Sequence, residues 1–202
     1  MKTTHTDEKS RGGRPRGFDR GQALDVAMRL FWRHGYEGVS VGDITARLGI
    51  AAPSLYAAFG SKAGLYREAL DRYAALPGAL DGMAGTKTLE QAVSGLLEAA
   101  IGAVVAEERG CMISTGMVEG AVEQQELARE LTERRLALRC RIADGLSQWL
   151  DRQAADRLAA YLLAVQQGMA VQARDGATED ELLRIKDEVM VGIMARQAQR
   201  HS

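Results

Sequence analysis

The 21 residues from Ser40 to Gly60 carry so many helix-start and helix-stop signals that they can hold only two very short helices joined by a tight turn. Ser40 followed three residues later by Asp43 is a capping box, in which a hydroxyl and a carboxylate satisfy each other's backbone N–H groups at a helix start. The helix it opens runs through Ile44, Ala46 and Leu48 and stops at Gly49. After the turn Gly49-Ile50-Ala51, Pro53 stands in a first turn, where its missing N–H would have had no partner in any case. Ser54 to Phe59 continue that second helix until Gly60 closes it. Upstream, Asp19 with Gln22 opens a helix of about 16 residues whose Leu24, Ala27, Met28 and Phe31 recur at helical spacing until His34-Gly35. Downstream, Ser61-Lys62 opens a longer helix with Leu65, Ala69, Leu70 and Tyr73 on one face. Two short helices on a glycine turn, flanked by longer ones, make the helix-turn-helix pattern. With Ile44, Leu48, Leu55 and Phe59 turned inward, Ala52, Pro53, Ser54, Tyr56 and Ala57 face outward, where a DNA major groove could meet them.

Charge is distributed to match. The net charge of -1 conceals 12 Lys/Arg against 8 Asp/Glu in residues 1–72, and 14 against 19 in the remainder. An anionic partner therefore belongs with the N-terminal third. Residues 1–17, with Ser10-Arg11-Gly12-Gly13-Arg14-Pro15-Arg16-Gly17, mix turn formers and cations without an apolar period and read as a flexible basic arm, either placing Arg14 and Arg16 against DNA or serving as a solvated tail that aids solubility. The expected organisation is this arm over 1–17, a helix-turn-helix domain over 18–72, and a second, helical domain with a different job over 73–202.

Other function classes drop out. No apolar run approaches the ~20 residues of a membrane span, and the polar N-terminus has no signal core, so a cytoplasmic protein without membrane contact is expected. Two cysteines and three histidines, widely spaced, make neither a disulfide framework nor a metal site nor a catalytic triad. Neither metal, cofactor nor catalysis is expected.

Beyond residue 88 the chain is helical throughout. Thr88 with Gln91 opens a helix carrying Leu89, Val93, Leu96, Leu97, Ala100, Ile101 and Val104. Leu127, Leu131, Leu138, Ile142, Leu146 and Trp149 stripe a second, and Leu158, Tyr161, Leu162, Val165 and Met169 a third. Thr178 with Glu181 opens the last, with Leu182, Ile185, Val189 and Ile193. The fold class is all-α, with about nine helices.

The residues Gly35, Tyr36, Ser40, Val41, Ile44, Ala46, Gly49, Ile50, Leu55, Tyr56, Phe59, Ser61, Lys62 and Leu65 stand in the order and spacing of a known motif. Over roughly residues 15 to 72 the chain resembles the N-terminal DNA-binding domain of the TetR/AcrR family of bacterial transcriptional regulators. The resemblance implies that Ser40 and Lys62 anchor phosphates at helix N-termini, that Tyr56 reaches the DNA backbone, and that Ala52, Pro53 and Ser54, followed by Ala57, occupy the base-reading position. Small apolar groups there meet thymine methyls but form no bidentate hydrogen bonds. Ala51 and Ala58 depart from the family, which often has a capping serine and a histidine or tyrosine at those places.

The resemblance further implies a homodimer on double-stranded operator DNA, with repression as the family default, and a small-molecule effector that lowers operator affinity. The stripes Leu158, Tyr161, Leu162, Val165 and Leu182, Ile185, Val189, Ile193 are candidates for a four-helix dimer interface. Leu97, Ile101, Met112, Thr115, Met117, Trp149 and Gln166 are candidates for the effector pocket. Cys111, after Arg109-Gly110 at a helix start, is a candidate redox or electrophile sensor, because a cation and a helix dipole lower a thiol pKa. Two rival readings remain at this level: a helical ligand or redox sensor or adaptor without operator binding, and an enzyme using Cys111 as nucleophile, for which the sequence offers no activating base.

Overall fold

The computed structural model describes residues 19–106, 108, 110–114, 116 and 124–198. Among them are eight α-helices: Arg20–His34 (α1), Val41–Leu48 (α2), Ala52–Phe59 (α3), Lys62–Ala74 (α4), Leu89–Val105 (α5), Gln125–Leu146 (α6), Arg152–Arg174 (α7) and Glu179–Ala198 (α8). A short 3-10 turn, Ala79–Met83, lies between α4 and α5. The all-α class holds, with eight α-helices and this turn where the sequence pattern suggests about nine. Arg14, Arg16, Thr115 and Met117 lie outside the described residues.

The helices begin where side-chain caps are available. Asp19 Oδ1 accepts from the N–H groups of Gly21 and Gln22 at 2.8 and 3.1 Å, and Ser61 Oγ from Gly64 N–H at 3.0 Å. Thr88 and Asp151 cap α5 and α7 in the same way, and Thr178 exchanges hydrogen bonds with Glu181 at the start of α8. These oxygens pair N–H groups that the helix itself leaves without partners.

Packing divides into two apolar clusters. In the first, α1 packs on α4 while α2 and α3 close the bundle. Phe31, Tyr36 and Tyr66 meet there, with edge-on ring contacts of 5.0 Å from Tyr66 to each of the other two. This cluster also takes in Met112, Leu127 and Leu131 from far along the chain. The second unites the inward faces of α5, α6, α7 and α8.

That second cluster corrects the expected dimer face. Leu158, Leu162, Leu182, Val189 and Ile193 are buried within the single chain, and Val165 and Ile185 pack against them. Of the eight candidates only Tyr161 is exposed. The reason is physical: the widest continuous apolar stripe on each helix is the one its own core takes. The apolar groups left outside on these two helices are Tyr161, Val171, Val191 and Met194. No described helix is long and apolar enough to cross a membrane.

Candidate nucleic-acid interface

The reading element is α2, its turn and α3. Ser40 has extended backbone and forms the expected reciprocal box: its Oγ accepts from Asp43 N–H at 3.1 Å, and its own N–H donates to Asp43 Oδ2 at 2.8 Å. Gly49 ends α2 with φ +64°, a left-handed conformation that side-chain-bearing residues avoid, and so turns the chain toward α3. Ala51 sits at the N-cap of α3 and supplies no side-chain hydrogen bond, while Pro53 occupies the first turn. Ile44, Leu55 and Phe59 are buried and Leu48 is half-buried. Pro53, Ser54, Tyr56 and Ala57 are thereby left exposed along one side of α3, with Ala52 half-buried at its start. Tyr56 is 46% exposed, and no buried contact holds its hydroxyl inside.

Two cations stand on the helices that adjoin α3 in the chain. Lys62, in the first turn of α4, lies with its Nζ 4.1 Å above the Tyr36 ring. Partial burial there lowers its pKa from the ordinary value of 10.5, and Glu37 pulls the other way. The ring thus holds the ammonium head itself near the start of α4 by a cation–π contact. Arg47, exposed in the last turn of α2, was not singled out from sequence. Its placement beside the glycine turn was the available signal. Arg20 is different, being committed to Glu68 at 2.7 Å and to the Phe59 ring at 4.6 Å.

Ser40 is engaged in its own capping box. Its hydroxyl donates to Asp43 Oδ2 at 2.6 Å, so the proton that would meet a phosphate is already engaged. The same carboxylate is held below its usual pKa by Ser40, first through the hydroxyl and then through the backbone N–H. An ionised cap at this helix start opposes an incoming phosphate by charge. Ser40 thus caps and fixes the start of α2.

Helices α1 and α4, which carry the reading element, are tied to the C-terminal half. Arg67 of α4 pairs with Glu130 of α6 at 2.7 Å, and Arg134 of α6 with Asp71 of α4. The hydrogen bond and charge of Arg67 hold the Glu130 carboxyl below its ordinary 4.5. A carboxyl depressed in the folded state stabilises fully above its unfolded pKa and loses that contribution as pH falls through the folded one. Thermal stability is therefore expected to drop as pH is lowered below 4.5, and a Glu130→Gln variant to show a flatter profile in the same melting series.

The second tie is the segment Gly110–Ile113. Trp32 Nε1–H of α1 donates to Gly110 O at 2.8 Å, Arg174 Nη2 of α7 donates to Trp32 O at 3.0 Å, and Tyr73 of α4 stacks edge-on against Trp32 at 4.8 Å. Gly110 has φ +94°, and a Cβ there would lie 3.3 Å from Ala170 O. Met112 is 2% exposed and belongs to the N-terminal cluster, which removes it from the expected effector pocket. Among the described residues Cys111 stands in an irregular segment followed by turn at 112–114, not at the start of a helix. Its Sγ accepts from Ser114 N–H at 3.4 Å. Tyr73 is hydrogen-bonded to it, and the phenol is raised well above its ordinary value, chiefly by burial and then by Cys111.

The remaining pocket candidates fall together only in part. Leu97 and Ile101 are fully buried on α5, and Gln166 is buried on α7. Trp149 stands at the α6–α7 corner, where its Nε1–H reaches Lys87 O at 3.2 Å.

The pattern defining the "Bacterial regulatory proteins, tetR family" matches residues 23–69, the four helices just described. Over 203 aligned residues the chain is 34% identical to the HTH-type transcriptional repressor ComR of Escherichia coli, an alignment covering 91% of this chain and 92% of that one. The chain belongs to the TetR family. A second TetR-type relative, the HTH-type transcriptional repressor BdcR of Escherichia coli, is 54% identical over 61 residues, 30% of this chain and 31% of its own. Among solved structures, a cysteine-substituted form of the TetR family transcriptional regulator CifR, complexed with 26-bp double-strand operator DNA, superposes with a TM-score of 0.80 at 32% identity, covering 88% of this chain and 98% of that one.

Proposed function

We propose that this TetR family protein is an operator-binding transcriptional repressor, working as a homodimer and released by an effector or by thiol modification in its C-terminal half. The observation that carries this reading is the exposed row Pro53, Ser54, Tyr56 and Ala57 on a capped, buried scaffold, with the cations Arg47 and Lys62 on the adjoining helices. The operator complex of CifR and the repressor relatives ComR and BdcR support it. Small residues at the start of α3 let the helix approach the groove floor and favour thymine methyls over guanine or adenine edges. Arg47, Lys62 and Tyr56 supply the sequence-independent backbone contacts. The division at about residue 72 separates the reading head from the responsive domain, although Met112, Leu127 and Leu131 complete the head's core. Any event that displaces the Gly110–Ile113 segment alters what supports α1 and α4.

Repeated selection from a random double-stranded pool tests the reading. A palindromic winner is expected, with half-sites one helical turn, about 34 Å, apart. In Lys62→Ala or Arg47→Ala, the log–log salt dependence of binding is expected to fall by about two units per dimer, because each head loses one phosphate contact. No enrichment of any sequence would overturn operator binding. A salt slope unchanged in both variants would remove these two residues from the interface.

A further inference from the structure

Among the described residues one buried side chain is polar: Gln166, 6% exposed, on the inward side of α7. Its Nε2 has no hydrogen-bond partner. One turn to either side stand Leu162, Leu163, Met169 and Ala170, all buried. A primary amide carries two donors, and a core that leaves them unpaired is less stable than one with leucine or methionine at the same place. Such a group makes physical sense where it meets a partner from outside the chain. The next turn of α7 borders the Gly110–Ile113 segment: Ala170 O faces Gly110, and Cys111 packs on the same apolar cluster.

We infer that Gln166 is the polar recognition point of the effector site, and that the effector is a small, uncharged, mainly apolar molecule offering an acceptor oxygen, such as a carbonyl, to Gln166 Nε2. This rests on the effector-responsive reading above and gives it a chemical class. An ionised ligand would enter a region whose described buried side chains include no counter-charge. A pure hydrocarbon would leave the amide as unpaired as before. A ligand seated between α7 and α5 must part their packed faces within about one helical turn, ~5.4 Å, of the segment that holds Trp32 and Met112. Occupancy is thereby transmitted to α1 and α4.

The test uses the full chain and matched probe pairs: cyclohexanone against methylcyclohexane, and acetophenone against isopropylbenzene. Binding is read by titration calorimetry and by melting-temperature shift, without DNA. The unmodified protein is expected to bind each ketone at least tenfold more tightly than its hydrocarbon partner. Gln166→Met and Gln166→Leu, two substitutions of similar volume, are expected to erase or reverse that preference while binding operator unchanged. Ketone is expected to weaken operator binding in the unmodified protein only. Absence of ketone binding, or a ketone preference that survives both substitutions, overturns the assignment. Failure of the unliganded protein to bind operator would instead overturn the regulator reading, and the DNA-free titrations keep the two failures apart.

Discussion

A chain carrying Val191→Lys and Met194→Lys is expected to sediment as a monomer and to lose operator affinity by about three orders of magnitude or more, the usual gap between specific and non-specific DNA binding. Val191 and Met194 are 58% and 53% exposed on α8, and Tyr161 and Val171 are exposed on α7. Ala164 and Gly168 on α7 and Gly192 and Ala195 on α8 are also exposed, and a Cβ added at either glycine would meet nothing within 4 Å. Small exposed residues beside these apolar groups let a second copy's helices approach closely across a two-fold axis. Two lysines there place four cations together in a dimer, without cavity formation or strain inside the monomer. The helix content should therefore be unchanged by circular dichroism while sedimentation velocity shows a single-chain species. One head then makes half of the contacts, and the advantage of engaging two half-sites is lost. A variant that remains dimeric, or a monomer that binds operator at full strength, would sink the assignment of this face.

Apart from Tyr161, this proposed face was not legible in the sequence, for a definite reason. Periodicity finds the most apolar stripe on each helix, and Leu158, Leu162, Leu182, Val189 and Ile193 form those stripes, yet they serve the chain's own core. A face of alanine, glycine and scattered valine or methionine has little apolar contrast and reads as ordinary surface. The head was far more legible. Asp19, Ser40, Gly49, Pro53 and Gly60 act within one turn of where they stand, so their signals survive without any tertiary information. Ser40 shows the limit of that legibility: the capping box was readable, but that its hydroxyl proton is spent on Asp43 follows only from the hydrogen-bond geometry. Cys111 and Met112 were misplaced because their surroundings come from segments some forty to eighty residues away in sequence, Tyr73 and Trp32 among them. Local pattern has no access to such contacts.

Met112→Ala is expected to destabilise the protein by about 2–5 kcal/mol, the range for truncating a well-packed methionine. For a chain of this size each kcal/mol shifts Tm by about 2–4 °C, so the melting temperature should fall by roughly 5–15 °C. Met112 is 2% exposed and shares its cluster with Phe31, Tyr66 and Leu70, while Trp32 holds the preceding carbonyl of Gly110 at 2.8 Å. A cavity at this point therefore opens beneath α1 and α4, where collapse is resisted by the stacked rings of Phe31, Tyr36 and Tyr66. Trp32→Phe removes the donor to Gly110 O and leaves a buried carbonyl unpaired, at a cost of about 1–3 kcal/mol. Since both side chains fix the same segment, the double variant is expected to lose less than the sum of the two, and chemical denaturation of all four proteins measures that coupling. A methionine that merely lined an effector pocket would leave Tm of the unliganded protein nearly unchanged and couple to Trp32 not at all. The size of the Met112 loss thus decides whether the segment is a structural part of the reading head, and with it whether movement at Gln166 has a rigid path by which to reach the DNA-binding helices.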